Sequence, residues 1–319
     1  MRIECDDLRD TLNAASKTLT ASRQVREGHL RSSAFICGFI AFCITSSTAA
    51  EISLRDDLDR PIQLQQPARR IVTLAPFLTE LVYAAGAGER VVGVSAYSDY
   101  PPEARKLPQV ASAAGVSVEQ VAALKPDLVL AWRDSVRPED VERISRLGAA
   151  VFVAQARTLD DVPRLLHAIG LLAGVDVAPV AAGYARSLER IRLDYAGKPK
   201  LAVFLEIWHR PLTTISGRHF MNQALEICGA RNVFKDLDGV APLVSWEQVY
   251  ERDPEAIVGA GSAANAEEFA ANWRERDTLA AVKAKRLVFV EADTIQRPTT
   301  RTPGGVARLC EGLDRARRR

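Results

Sequence analysis

SVEQVAALKPDLVLA, residues 117–131, returns without a gap as SWEQVYERDPEAIVGA, residues 245–260. The match keeps Ser117 and Ser245, Glu119 and Glu247, Gln120 and Gln248, Val121 and Val249, and Pro126 and Pro254. Apolar residues correspond beyond the proline, Val129 with Ile257 and Leu130 with Val258. Each copy reads as a helix opened by the serine, ended before the proline and followed by a short apolar strand. Ser-x-x-Gln is the pattern of a capping box in both copies. The glutamate falls in the first turn, where the helix dipole favours negative charge. Two readings of Glu119 and Glu247 stand together: they stabilise helix starts, or the chain displays one charge twice.

Outward from the repeat, strands and helices alternate. RIVTLA (70–75) is stopped by Pro76 and followed by an amphipathic helix, LTELVYAAG, ending at Gly86. VVGVS (91–95), a proline-rich loop, the first repeat, a helix near 138–146, AVFV (150–153) and a helix from Leu159 to Leu172 complete one half. The other half offers LAVFLEI (201–207), a helix near 220–228, the second repeat, a helix near 266–274, RLVFVE (286–291) and a last helix from about Pro303. Short, wholly apolar strands alternating with helices predict an α/β fold with parallel sheets covered on both faces. Between the halves, Val177, Val180, Tyr184, Leu188, Ile191 and Tyr195 step by three and four up to the stop Gly197-Lys198-Pro199. About nineteen residues at roughly 1.5 Å each make a connector nearly 30 Å long. The expected organisation is a leader over 1–50, an α/β lobe over 51–174, a bridging helix over 175–198 and a second α/β lobe over 199–319.

The leader differs in kind from the rest. Arg31, the apolar run Ala34–Ile44 and the small residues STAAE have the order of a secretory signal, too short for a bilayer span, with cleavage expected near Ala49 or Ala50. Neither Cys37 nor Cys43 follows a small residue, so no lipid-attachment site is expected. Residues 1–24 carry Glu4, Asp6, Asp7 and Asp10 where a leader should begin basic, which suggests a true start near Val25 or Leu30. Export leaves two of the five cysteines, Cys228 and Cys310, in the mature chain, as one disulfide or two buried thiols. A net charge of +2 gives no basic surface for nucleic acid.

Catalytic patterns are missing from the sequence. Gly86-Ala-Gly88 follows a helix and lacks the third glycine of a dinucleotide fingerprint, and Gly93-Val-Ser95 lacks the second glycine of a nucleophile elbow. His167, His209 and His219 have no zinc-ligand spacing, and no catalytic or metal-binding residue is expected. Aromatic and polar residues instead follow strand ends: Tyr97 after VVGVS, Trp132 after LVLA, Trp208-His209 after LAVFLEI, and Asp293-Thr294-Ile295-Gln296-Arg297 after RLVFVE. Ligands of open α/β sheets bind there, so a binding cleft between two lobes is the expectation.

RIVTLAPFLTELVYAAGAGERVVGVSAYSDYPPEARKLPQV, SVEQVAALKPDLVLAW, NQALEICGARNVFKD and VSWEQV carry a resemblance. They are similar to the cobalamin-binding branch of the periplasmic binding proteins that serve bacterial ABC importers. Relatives in the wider family bind haem, siderophores and other metal chelates. VSAYSDYPPEA is its most specific part, and the likeness runs from about Arg70 to Leu313. It implies two Rossmann-like lobes joined by one long helix and a monomer exported to the periplasm. Cobalamin would be its cargo, with no cofactor and no enzymatic activity, and another chelate such as haem or a siderophore is the alternative. It further implies that Tyr97 stacks on the ligand, that Trp132 and Trp208 are cleft aromatics, and that Asp293 to Arg297 form a ligand-contacting loop. Cys228 and Cys310 would be a disulfide, and Glu119 and Glu247 would meet arginines on an inner-membrane ABC permease dimer. Ala113 and Ala241 depart from the pattern, standing where close relatives carry tryptophans, and the 293–297 loop has no aromatic.

Overall fold

The computed structural model describes residues 51–319; the expected leader lies outside the described residues. After an antiparallel hairpin, β1 (Ile52–Arg55) and β2 (Pro61–Leu64), the first lobe is built on a six-stranded sheet. Its strands are β3 (Ile71–Thr73), β4 (Val91–Ser95), β5 (Gln109–Ser112), β6 (Gly115–Val116), β7 (Leu128–Trp132) and β8 (Ala150–Ala154), in the order β6-β5-β4-β3-β7-β8. All pairs are parallel except β5 with β6. The second lobe holds β9 (Leu201–Glu206), β10 (Ala230–Asn232), β11 (Ala256–Gly261) and β12 (Leu287–Glu291), all parallel, in the order β10-β9-β11-β12. The fold is the expected pair of α/β lobes. The strands β5, β6 and β10 were not anticipated: they are short, β6 and β10 lie at sheet edges with β5 next to β6, and β5–β6 lies in a stretch of small residues turned by Gly115 at φ 117°.

Alternate residues of one strand enter different cores, which is why the strands are apolar throughout. In β7, Leu128 and Leu130 face inward while Val129 and Ala131 pack under the outer helices. In β11, Ala256 and Val258 face inward and Ile257 joins an outer cluster with Phe204 and Trp273. The inward set continues from Phe152 in one lobe, through Tyr184 and Leu188 of the connecting helix, to Leu205 and Val290 in the other. That helix, Ala178–Tyr195, packs on helix Asp161–Ala173 of the first lobe and on the last helix, Thr302–Arg317. It is thus a structural part of both lobes, and the Tyr184 hydroxyl donates to the Leu159 carbonyl at 2.8 Å.

The repeated phrase occupies the same place in each lobe, since β7 lies beside β3 and β11 beside β9. The likeness extends to the backbone. Lys125 and Asp253, each just before the proline, have φ of 46° and 33°. Just after it, the Asp127 carboxylate accepts from the Arg69 and Arg70 amides, and the Glu255 carboxylate accepts from the Ala202 amide at 2.7 Å. Each copy thereby pins its strand to the lobe's first strand. The caps are not identical. Ser245 and Gln248 form the full reciprocal box, at 3.3 and 2.8 Å, whereas in the first copy only the Gln120 amide donates to Ser117, at 3.4 Å. The expectation of two capping boxes is corrected to one box and one single cap, because the Gln120 side chain is exposed and does not turn back.

Cys228, which follows helix Phe220–Ile227, is bonded to Cys310 in the last helix, with a Cα separation of 4.7 Å. Both residues are fully buried. Among the described residues no helix is long and apolar enough to cross a membrane.

Candidate ligand-binding site

In both sheets the chain reverses its direction of travel at the first strand, between β3 and β7 in one lobe and between β9 and β11 in the other. Loops leaving such a switch point diverge and leave a crevice beyond the strand ends. From β3 the chain enters helix Pro76–Ala84, whose proline stands in its first turn, and Phe77 meets Trp132 at the end of β7 edge to face, 5.9 Å between centroids. A cavity of about 830 Å³ opens there. Phe77 and Trp132 line it from one lobe, Arg218, His219, Phe220 and Val240 from the other, and Gln296 and Arg297 from the loop after β12. A neighbouring hollow of about 630 Å³ lies beyond β9 and β11, with Trp208, His209, Phe269 and again Gln296 in its wall.

The expected aromatics are placed unequally. Trp132 lines the larger cavity and Trp208 the smaller, where the residue is 64 % exposed although Nε1 donates to the Arg210 carbonyl at 2.8 Å. Tyr97 lines neither hollow; it is 77 % exposed beyond β4, with φ at 63°. A bulky side chain in the left-handed region is a strained conformation, of the kind that gathers at binding sites. In the 293–297 loop the structure divides the residues. Gln296 borders both hollows. Thr294 and Ile295 point into the protein: Ile295 joins the main core, and the Thr294 hydroxyl donates to the Glu291 carbonyl and accepts from Arg308. Their expected place in the cleft is corrected, because the short helix Ala292–Ile295 turns that face onto the last helix.

Arg297 is committed to carboxylates. It bonds Asp99 at 2.9 Å, Asp293 at 3.0 Å and Glu80 at 3.2 Å. Arg301 takes Glu80 in a fork, at 2.8 and 2.7 Å, and its guanidinium lies 4.0 Å from the Tyr100 ring centre. Glu80 and Asp99 belong to the first lobe and the arginines to the second, so this network crosses the cleft floor. Burial alone would raise the Asp99 carboxyl, but the hydrogen bond and charge of Arg297 outweigh it and hold Asp99 below its ordinary range. Glu80 was missed in the sequence, although a glutamate among Leu78, Leu81 and Val82 on a buried helix face was a readable sign. Phe77, His219, Phe220 and Val240 gave no such sign.

Two further groups shape the walls. His219 is the N-cap of helix Phe220–Ile227, its Nδ1 accepting from the Met221 amide at 3.1 Å, and burial pushes its pKa down to about 4. Beyond β9, burial raises the Glu206 carboxyl, against the opposing pull of His209 and of the Trp273 indole, which donates to it at 2.7 Å. His209 is held by Glu206 and packs between Trp246 and Trp273. Among the described residues no cluster of His, Cys, Asp and Glu has the arrangement of a metal site.

Glu119 and Glu247 are exposed at the first turns of their helices, and Ser245 holds the Glu247 carboxyl below its ordinary range through a hydrogen bond. Ala113 and Ala241 are exposed as well.

Residues 71–294 match a family described as periplasmic binding protein. A vitamin B12-binding protein of Vibrio cholerae serotype O1 is 34 % identical over 250 residues, covering 77 % of this chain and 90 % of its own. A vitamin B12-binding protein of Pectobacterium carotovorum is 39 % identical over 198 residues, covering 61 % and 72 % respectively. The crystal structure of the periplasmic vitamin B12 binding protein BtuF of Vibrio cholerae superposes with a TM-score of 0.73 at 34 % identity, over 79 % of this chain and 99 % of that one.

Proposed function

The chain belongs to the periplasmic binding protein family, and we propose that it captures cobalamin without covalent attachment and delivers it to the permease of an ABC importer. One observation carries this reading. Trp132 and Trp208 stand exposed at the two switch points, each lining one of two hollows that meet at Gln296. A pair of flat aromatic faces with hydrogen-bonding groups between them suits a large, partly apolar disc with polar edges. The names of the relatives point the same way. No bond is made or broken in this role, the protein acts in the periplasm as a monomer, and cobalamin is cargo rather than cofactor.

A haem cargo would ask for an axial Tyr or His. Exposed Tyr97 and His209, whose Nδ1 is held by Glu206 while its other ring nitrogen is not, are the two candidates for that ligand, and the titration below separates the two cargoes. Exposed Glu119 and Glu247, one per lobe at equivalent helix starts, would meet basic residues on two identical permease subunits.

Titration of the purified protein with cyanocobalamin and with haemin tests the proposal. Cyanocobalamin is expected to bind, and Trp132→Ala and Tyr97→Ala to weaken it about 2- to 10-fold each, the range for removing one stacked ring. Binding of haemin alone, or cyanocobalamin affinity unchanged in both variants, would remove the proposal or move the site.

A further inference from the structure

The smaller hollow differs in chemistry from the aromatic cavity beside it. Its floor is apolar, with Phe269 and Phe289, but three carboxamides and two carboxylates line it. They are Glu206 at the end of β9, already bonded to His209 and Trp273, Asn265, Glu268 and Asn272 on or beside helix Ala266–Arg274, and Gln296 from the loop after β12. Asn265 is used by the fold only through its carbonyl oxygen, which closes a capping box with Ser262, and among the described residues Glu268, Asn272 and Gln296 are not engaged. The Asn265 carbonyl oxygen accepts from the Ser262 amide and hydroxyl, at 3.2 and 2.6 Å, which leaves its amide nitrogen without a protein partner. Among the described residues the Asn272 and Gln296 side chains make no hydrogen bond, and Glu268 makes no ion pair, whereas its neighbour Glu267 is paired with Arg274. Asn265 and Glu268 are exposed and Asn272 and Gln296 half-buried, so two amides from this helix and one from the loop after β12 stand open on one concave wall beside the aromatic cleft.

The donor and acceptor balance defines what fits. A carboxamide offers two donors and an acceptor, and its complement is another uncharged amide or a hydroxyl. Glu268 accepts from an amide N–H and repels a carboxylate brought against it. Arg210 is the one arginine or lysine in this wall; it is exposed, and it supplies the rival tendency. We propose that the hollow is a carboxamide-recognising subsite, in which Asn265, Asn272 and Gln296 bond the peripheral amides of the macrocycle and Glu268 disfavours acid analogues. The cleft would then select an amidated corrinoid over its carboxylate counterparts by unmatched polar groups, which discriminate more strongly than apolar contacts do. This rests on the reading of the cleft as a cobalamin site.

The test compares cyanocobalamin with its monocarboxylic acids, in which one peripheral amide is hydrolysed, by calorimetric titration of the purified protein. At least one monoacid is expected to bind about tenfold more weakly than the parent, the order of one hydrogen bond left unmade in a buried site. In Asn272→Leu, cyanocobalamin affinity is expected to fall by a similar factor while the monoacid changes less, so that the discrimination shrinks. Thermal melting of the variant checks that it is folded; Gln296→Leu supplies the same comparison if it is not. Equal or tighter binding of every monoacid, or an unchanged ratio in a folded variant, overturns the subsite and leaves the cobalamin reading standing. No binding of cyanocobalamin by the unaltered protein overturns both.

Discussion

Glu80 of the first lobe, with only 2 % of its side chain exposed, is gripped by the fork of Arg301 from the second lobe, 221 residues away in sequence. Arg297 reaches the same carboxylate and ties it to Asp99 and Asp293. Lobe is thus held to lobe at the cleft floor by charge as well as by the core around the connecting helix.

Removing that carboxylate leaves two half-buried guanidinium groups under-compensated. Glu80→Ala is expected to destabilise the protein by about 3 kcal/mol, the order found when one partner of a buried pair is removed. Urea denaturation of the variant measures it, and a change within about 0.5 kcal/mol, the usual range for a surface substitution, would count the network as surface decoration.

His219 makes stability depend on pH in a specific window. Its folded pKa of about 4 lies below the ordinary value of 6.5, so the folded state prefers the neutral ring. The stability it contributes is fully present above pH 6.5 and is lost progressively as pH falls toward 4. Protonation also removes the Nδ1 acceptor that caps the helix at the Met221 amide. The loss is expected to reach about 3 kcal/mol across the window. His219→Asn keeps a capping acceptor without the titration, so its stability curve between pH 7 and pH 4.5 should be flatter than that of the unaltered protein. Parallel curves would assign the pH dependence to other groups.

The Cys228–Cys310 bond closes a loop with a sequence separation of 82. On the chain-entropy account its removal is expected to cost about 4 kcal/mol. The double variant Cys228→Ser/Cys310→Ser, compared with the unaltered protein in denaturant, reads this directly. Because both sulfurs are buried, reductant without denaturant should have little effect.

Charge reversal separates capping from docking. Glu119→Arg and Glu247→Arg are expected to leave cobalamin affinity intact and to abolish association with the permease, since like charges then face each other. If permease association survives reversal at both positions, the glutamates only serve their helix starts.

The repeat shows how far local sequence reaches. Ser117 and Ser245 as caps, the helix–proline–strand order and the wholly apolar strands are set within a few residues, by steric limits and by backbone hydrogen bonds that must be met nearby. The alternation of such units was enough for two parallel α/β lobes, and the step of Val180, Tyr184, Leu188 and Ile191 for the connecting helix. Tyr97, Trp132 and Trp208 were legible as strand-end residues for the same reason. Periodicity identifies a buried face without naming what covers it. So Thr294 and Ile295 were placed in the cleft although their short helix buries them, and the short strands β5, β6 and β10 went unseen. The pairing of Glu80 with Arg301, the place of His219 in a cavity wall shared with Trp132, and the convergence of Asn265 and Asn272 on Gln296 belong to tertiary structure alone. Each joins segments whose local sequences make no reference to one another; the crossovers that order β10-β9-β11-β12 and β6-β5-β4-β3-β7-β8 bring them together, and burial between the lobes gives their contacts energetic weight.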